Sequence, residues 1–294
     1  MQRNHYQPYS HFPSLKEMYQ GREKRVLKQI RNILRFLLRR PFISRQAKRL
    51  LMFLNQHSLW LPLFRQNPHR FHAFLYRYCD KRFSLKQRTD QIIHTFTILE
   101  QKLGEDKCRL LVEQGSLPLC QLTNTLTLNL NLNMIDEWEG FFSLNFQDGS
   151  NKRYYDCSFA LLEQQRLLIA SIQGPKGEDA QQLVRLLTKE CHGVRPMYLL
   201  VDCLKMIAEQ WQQQLVGIPL KYQAKIQLHG SKRVLFNYDD FWRDNQATRA
   251  TDYWQLPLTI ERRPLEEIQS KKRSMYRKRY EMFDLIKQAI QQNI

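Results

Sequence analysis

The hydrophobic period of this chain changes at Leu122, and that change limits the folds it can adopt. Beyond it, Leu126, Leu128, Leu130 and Leu132 alternate with Thr127, Asn129, Asn131 and Asn133. A period of two residues is typical of a half-buried β-strand, whereas the spacing of three to four residues seen earlier in the chain indicates helices. The sequence therefore predicts an α+β protein, with a helical N-terminal third followed by a mostly antiparallel sheet, two central helices and a basic C-terminal helix.

The pattern also gives approximate bounds for these elements. Helices are predicted at residues 23–40, 46–55, 85–103, 178–190, 196–213 and 271–290, and a loop at residues 57–78. Strands at 126–132, 141–146, 154–161 and 167–172 would form an antiparallel meander, with shorter strands at 215–220, 234–236 and 256–260. We divide the chain into a loose arm (1–20), a basic helical region (21–120) and an α+β domain with the basic helix (121–294).

The formal net charge of +18 is concentrated at the two ends of the chain. Residues 1–100 hold 20 Lys and Arg against 5 Asp and Glu, and residues 261–294 hold 9 against 5. Such ends favour polyanionic partners, either an anionic membrane surface or glycolipid or a nucleic acid, because their attraction to lysine and arginine is strong and salt-dependent. Solubility alone is the alternative explanation.

Cysteine usage and hydropathy indicate the compartment. The six cysteines show no CxxC pair and no Cys/His spacing of a zinc site, so no metal is predicted and the thiols are expected to be reduced core residues. Residues 1–14 do not resemble a signal peptide, and no segment reaches the roughly 18 apolar residues of a membrane span. We expect a cytoplasmic protein, or one peripheral on the inner membrane.

The segment Glu23–Arg40 is a basic amphipathic helix in which seven apolar positions recur at helical spacing among lysines and arginines. One interpretation is a helix that lies on an anionic membrane surface. The other is a core helix with a solvated basic face. The sequence leaves both open.

A glycine loop follows the predicted strand at 167–172. Gln173, Gly174, Lys176 and Gly177 lie between that strand and a helix, an order that brings free backbone N–H groups and the positive end of a helix dipole together. Such a loop can bind a phosphate. A plain structural turn is the alternative, since the GxxxxGK[ST] phosphate motif is absent.

Four separated blocks resemble the VirK/YbjX family of Gram-negative bacteria. They are Leu187 to Pro196 continuing through Asp202, Tyr238-Asp239-Asp240-Phe241-Trp242, Leu256-Pro257-Leu258, and Ser270 to Arg273 through Tyr276, Arg279, Tyr280 and Asp284. The resemblance implies a role in envelope integrity, virulence and resistance to cationic antimicrobial peptides, with an undefined molecular activity.

The strand order is also similar to part of a GNAT-type acetyltransferase, in which the loop after a central strand binds the pyrophosphate of an acyl coenzyme A. By that resemblance Gln173, Gly174, Lys176 and Gly177 would bind a coenzyme A thioester, and separated parallel strands beside Gly174 would favour the idea. His192 is the candidate general base, because histidine titrates near neutral pH. A capping or packing role is its alternative.

Two further groups of residues are candidate ligand contacts. Asp239, Asp240 and Trp242 form a compact polar and aromatic cluster, which is either a ligand loop or a hairpin or helix-start turn capped by an aspartate. The candidate anion-binding residues are Arg195, Lys271, Lys272, Arg273, Arg277, Lys278 and Arg279. With Tyr276 and Tyr280 between them, these cations fit an anionic lipid or glycolipid, a nucleic acid, or a solvated helix face. Whether the chain is an enzyme stays open, with an acyl-CoA-dependent transferase as the enzymatic alternative to lipid association.

Overall fold

The computed structural model describes residues 7–19, 43–226 and 236–294. Helices in the N-terminal part are α1 (Leu15–Tyr19), α2 (43–56), α3 (Leu61–Gln66), α4 (Phe71–Leu75), α5 (Leu85–Leu103) and α6 (Glu105–Gln114). The later helices are α7 (Ala180–Glu190), α8 (Pro196–Gln210), α9 (Tyr238–Asp244) and α10 (Ser270–Asn293). The predicted helix at 23–40, including its possible membrane face, lies outside the described residues, as does most of the predicted strand at 234–236.

The strands described form one eight-stranded sheet in the order β1-β2-β3-β4-β5-β6-β8-β7. Their bounds are β1 (Ser116–Gln121), β2 (Thr127–Leu132), β3 (Phe142–Gln147), β4 (Arg153–Leu162), β5 (Arg166–Gln173), β6 (Gln214–Gly217), β7 (Thr248–Arg249) and β8 (Trp254–Gln255). Neighbouring strands are antiparallel except β5 and β6, which are parallel and joined through α7 and α8. The predicted α+β class and the predicted meander are confirmed.

Local signals explain where several elements begin and end. α5 begins with a capping box, in which Ser84 accepts from the Gln87 amide while the Gln87 side chain accepts from Ser84 N, and it ends before Gly104. α8 begins with Pro196 in its first turn, where the missing N–H leaves no intrahelical bond unmade. The prediction for α5 is confirmed to the residue.

The predicted loop at 57–78 is wrong, because it contains α3 and α4 as well as 3₁₀ turns. Its aromatic residues are core anchors: Trp60, Phe64 and Phe71 are fully buried. Phe64 contacts Phe96 of α5 and Phe141 at the start of the sheet, with ring centroids 5.9 and 5.5 Å apart. Burial of these rings outweighs the turn signals of the prolines and histidines.

Smaller differences have similar causes. The predicted strand at 256–260 is wrong, since pairing with β6 falls at Trp254 and Gln255, and the strand at 215–220 ends at Gly217, before Pro219. α7 begins at Ala180, two residues later than predicted, and α8 ends at Gln210 rather than 213.

Residues 7–19, the described part of the predicted loose arm, pack on the helical region. The Tyr9 amide donates to Asn55 Oδ1 (2.8 Å), Phe12 stacks edge-on against Phe71, and Met18 is buried. All six cysteines are free, and the expected core position is confirmed for five of them, whereas Cys120 is half-buried.

Candidate functional site

The glycine loop lies where β5 turns towards α7. The Gln173 side chain donates to the carboxylate of Glu139 (Nε2–Oε2 2.7 Å), while Lys176 is exposed. A Cβ on Gly174 would lie 2.7 Å from the Tyr155 ring, and Gly177 has a φ of +105°. Close packing and a left-handed backbone therefore account for the two glycines. Coenzyme binding by this loop stays a prediction.

Towards this loop, the parallel strands β5 and β6 stop pairing, because β6 ends at Gly217 and leaves a gap beside the end of β5. Residues 166–169 pair with residues 214–217, and the last bond between the two strands runs from Ile218 N to Ile169 O (3.1 Å). A bulge at Ala170 shifts the register of β5 on β4 at that point. Further along, the Tyr238 hydroxyl accepts from Ile172 N (3.2 Å) and donates to Ile172 O (3.3 Å). A side chain of α9 thus takes the place of a strand partner.

The face of the sheet next to this gap carries two rows of polar side chains. The register places Asn129, Asn145, Asp156 and Gln173 in one row across β2 to β5, and Asn131, Ser143, Ser158 and Ser171 in the next. All eight are buried except the half-buried Gln173. Buried polar groups cost free energy unless they are hydrogen-bonded, so the presence of buried polar side chains on this face is informative about its role.

Hydrogen bonds connect the rows internally. Gln147 Nε2 donates to Asn131 Oδ1 (2.9 Å) and Asn145 Oδ1 (3.0 Å). The Ser158 and Ser171 hydroxyls are 2.7 Å apart. The predicted half-buried character of β2 is therefore wrong, because the side chains on both of its faces are buried. Asparagine is depleted in strands, so its repeated use at residues 129–133 was the signal that could have revealed this face.

Two carboxyls lie in this polar region. Glu139 is 2% exposed and pairs with Lys225 (Oε2–Nζ 3.1 Å); burial raises its pKa above the ordinary value, partly offset by Lys225. Asp156 accepts from Ser143 Oγ and Asn145 Nδ2, each at 3.2 Å, and burial raises its pKa as well. Gln173 links the two, since it neighbours Asp156 in the row and donates to Glu139. Acids of raised pKa are able to take a proton from a bound hydroxyl or amine.

His192, the predicted general base, lies in the turn between α7 and α8 with a φ of +51°. Burial and the neighbouring Lys278 and Arg279 lower its pKa, which keeps the ring neutral near pH 7. Its carbonyl accepts from Arg279 Nε (3.1 Å) and Nη2 (3.0 Å). The contacts bring His192 together with α10.

Asp239, Asp240 and Trp242 all lie in α9, and the capping residue is Asn237 rather than an aspartate, since Asn237 Oδ1 accepts from Asp239 N and Asp240 N. Asp239 Oδ1 accepts from Leu220 N (3.1 Å) and Trp254 Nε1 (2.8 Å). Trp242 is fully buried, donates to Ile218 O (2.8 Å) and packs on Gly217. Asp240 is exposed and pairs with Arg243. These bonds tie α9 to the end of β6.

The predicted anion-binding residues lie mainly on the outer surface of α10. Five of them are exposed there: Lys271, Lys272, Arg273, Arg277 and Lys278. Arg273 also donates to Ile268 O (2.9 Å), and Arg279 is half-buried. Arg195 is exposed immediately before α8 and close to Tyr198. Asp202, which could have paired with Arg195, pairs instead with Lys205 (3.2 Å).

Neither a metal cluster nor a membrane-spanning helix is found in the described part of the chain. No group of three or more His, Cys, Asp or Glu side chains there has the geometry of a metal site. No helix there is long and apolar enough to cross a membrane.

Comparison with known proteins places the chain in a family. Residues 25–292 match the family described as "Protein of unknown function (DUF535)". An uncharacterized protein of Haemophilus influenzae is 47% identical over 282 residues, which cover 96% of this chain and 97% of that protein. No solved structure matches.

Two named relatives agree with the resemblance seen in the motifs. The membrane protein LapB of Mannheimia haemolytica is 36% identical over 218 residues, 73% of this chain and 93% of LapB. YbjX of Escherichia coli is 26% identical over 272 residues, 86% of this chain and 80% of YbjX. The chain therefore belongs to the DUF535 family, which is the VirK/YbjX family indicated by its sequence blocks.

Proposed function

We propose that this chain supports the envelope of Gram-negative bacteria by associating with anionic lipid or glycolipid. One observation carries the proposal: residues 270–280 of α10 present five exposed cations and contain no Asp or Glu. Each cation close to an anionic surface contributes about 1 kcal/mol of attraction, which salt screens. We call Lys271, Lys272, Arg277 and Lys278 the cationic row.

The family context supports the same proposal. The resemblance implies roles in outer-membrane and lipid A integrity, virulence and resistance to cationic antimicrobial peptides, and one relative carries the name membrane protein. A cytoplasmic protein peripheral on the inner membrane would meet anionic lipid or glycolipid precursors there. Association through a charged surface needs no membrane span.

Vesicle binding tests the proposal. We expect the chain to bind phosphatidylglycerol vesicles at low salt and to be released as salt rises, with no binding to phosphatidylcholine. Replacing the four residues of the cationic row by glutamine should weaken vesicle binding about 10²–10³-fold, because each cation contributes about 1 kcal/mol of attraction to the anionic surface. The matched control replaces four exposed cations elsewhere: Lys152, Arg185, Lys221 and Arg249. An equal loss in the two variants, or no binding at low salt, would contradict the proposal.

Acyl transfer from coenzyme A is a second candidate, favoured by a specific observation. The only parallel pair among the described strands, β5 and β6, stops pairing at Ile169, before Gly174, because β6 ends at Gly217; an unpaired end of β5 next to the glycine loop supports the GNAT-type hypothesis. The unpaired end of β5 adjoins the polar rows and Glu139, so a donor bound at the glycine loop and a polar acceptor on the sheet would meet near a buried acid.

Thermal stabilisation by ligands tests this candidate, because a ligand that binds the folded state raises its apparent stability. Acetyl coenzyme A and a long-chain acyl coenzyme A should raise the melting temperature, with adenosine bisphosphate as the control ligand. Lys176→Gln should reduce the shift and Arg185→Gln should not. Gly174 is unsuited to the test, since any side chain there displaces Tyr155. No shift at saturating thioester would exclude the candidate.

A further inference from the structure

A cavity of about 350 Å³ lies between α8, the end of α9, residues 259–263 and the inner side of α10. Its walls include Tyr198, Asp202, Lys205, Arg263, Tyr276 and Arg279. Ligand pockets typically measure about 300–1,000 Å³, so this cavity is large enough for one small polar molecule. The blocks that carry the family resemblance, distant in sequence, contribute Asp202 from α8 and Tyr276 and Arg279 from α10.

The floor of the cavity holds a buried ion pair. Lys205 is 6% exposed, and its ammonium lies 3.2 Å from Asp202 Oδ1 on the preceding turn of α8. Burial of two charges costs free energy that their mutual attraction often fails to recover, so a contribution to folding stability does not by itself explain the presence of this ion pair. Charges that line a cavity can instead bind a polar ligand. The ammonium group has three hydrogen-bond donors, and the carboxylate accepts hydrogen bonds from hydroxyl groups.

The walls supply aromatic rings, further cations and two more carboxylates, Asp244 and Glu261. The Arg279 guanidinium lies 4.1 Å from the centroid of the Tyr276 ring and donates to His192 O, which fixes both side chains. The Tyr280 hydroxyl donates to Arg263 O (2.8 Å) and so anchors the segment that carries Arg263. The Arg263 guanidinium itself forms no ion pair with any residue that the structure describes, which leaves its planar donors free for an anion.

We propose that this cavity binds a phosphorylated hexose, the head-group unit of an anionic glycolipid. The phosphate contacts Arg263, a sugar face packs on Tyr276, and sugar hydroxyls bond to Asp202 and Lys205. The inference rests on the proposed association with anionic glycolipid and names the part of the lipid that is recognised. The cationic row lies on the outer surface of the same helix, whereas the cavity lies on its inner side, so in a molecule held at the membrane by α10 the cavity lies about one helix diameter, roughly 10–12 Å, from the head groups.

Thermal stabilisation of the full chain by glucose 1-phosphate tests the inference, with glucose and inorganic phosphate as separate ligands. At about tenfold excess over the dissociation constant, we expect a rise of roughly 2–5 °C in melting temperature. Arg263→Gln should abolish the rise, since only its backbone carbonyl is used in the fold. Arg262→Gln is the matched control, because the neighbouring Arg262 pairs with Asp284 and does not line the cavity.

The outcomes separate this inference from the function on which it rests. A rise with glucose 1-phosphate in the wild type and in Arg262→Gln, but not in Arg263→Gln, supports the cavity. No rise with about 10 mM glucose 1-phosphate would overturn the inference. An equal rise with inorganic phosphate, or an unchanged rise in Arg263→Gln, would also overturn it. Vesicle binding without any rise refutes the cavity alone, whereas a rise without vesicle binding refutes membrane association alone.

Discussion

Replacing Tyr238 by phenylalanine tests whether β5 and β6 leave a real gap in the sheet. In the wild type, the Tyr238 hydroxyl bonds both Ile172 N (3.2 Å) and Ile172 O (3.3 Å), in the place where a neighbouring strand would pair. Phenylalanine keeps the ring, which packs 6.0 Å from Trp242, and removes these two bonds together with the hydroxyl's interaction with the Gln223 side chain. The backbone groups of Ile172 would then be buried without a partner.

The structure sets the size of the effect. A buried polar group left without a hydrogen bond costs about 1–3 kcal/mol. Both bonds to Ile172 are at the long end of the normal range, so we place each loss near the lower limit. The free energy of unfolding should therefore fall by about 1–3 kcal/mol, with a melting temperature lower by roughly 3–8 °C.

Urea unfolding at pH 7, followed by circular dichroism, measures this loss. Tyr155→Phe is the matched control: Tyr155 is a buried tyrosine on β4 whose hydroxyl bonds none of the described residues. We expect that variant to stay within about 0.5 kcal/mol of the wild type. If Tyr238→Phe is equally harmless, Ile172 has another partner and the gap that supports the acyl-transfer candidate does not exist.

Three further predictions follow from the buried and charged groups. Because the pKa of Glu139 is raised in the folded chain, this carboxyl stabilises the fold most at pH values below its ordinary pKa of 4.5, and that contribution is lost as pH rises. In urea titrations, the stability of the wild type relative to Glu139→Gln should therefore fall between pH 4 and pH 7. A constant difference between the two proteins would show that the pKa is not raised. The pKa of His192 is lowered from 6.5, so folding opposes protonation of this side chain and the wild type should lose stability as pH falls through 6.5. His192→Asn, a residue that tolerates the positive φ, should remove that loss in melting curves at pH 7.5 and 5.5. An unchanged pH dependence in this variant would contradict the prediction. Gly217→Ala should destabilise the chain by about 2–4 kcal/mol, because the new Cβ would lie 2.5 Å from the buried Trp242 ring; a loss under about 0.5 kcal/mol would mean that Trp242 is free to move.

The sequence predicted those elements whose local signals agree with their burial. α5 has a capping box at Ser84, a helical apolar stripe and Gly104 at its end, and each points to the same bounds. The alternation of leucines on β2 also identified the strand and the face that enters the apolar core. Even the order of strand, glycine loop and helix at residues 166–190 was evident from periodicity.

What the sequence could not predict depends on contacts between distant residues. The polar rows exist because four strands align Asn, Ser, Asp and Gln across the sheet, and register is invisible to a local pattern. The bond between Gln173 and Glu139 joins residues 34 positions apart. β1 was missed because Pro118 and polar residues at the sheet edge mask its strand pattern. The pairing of Asp202 with Lys205 is different, because the two residues are three positions apart on α8 and helical spacing was sufficient to predict it.

The most direct measurement of membrane association is the environment of a probe on α10. Ser274 is exposed among the residues of the cationic row, and Ser150 is exposed in the turn between β3 and β4. Five of the six native cysteines are buried, so Ser274→Cys and Ser150→Cys can be labelled with an environment-sensitive dye after replacement of Cys120. On phosphatidylglycerol vesicles at low salt, the account predicts a blue shift of the dye at position 274, reversed by salt, and none at position 150. A shift at position 150 alone, or none at either position while the protein is bound, would contradict it.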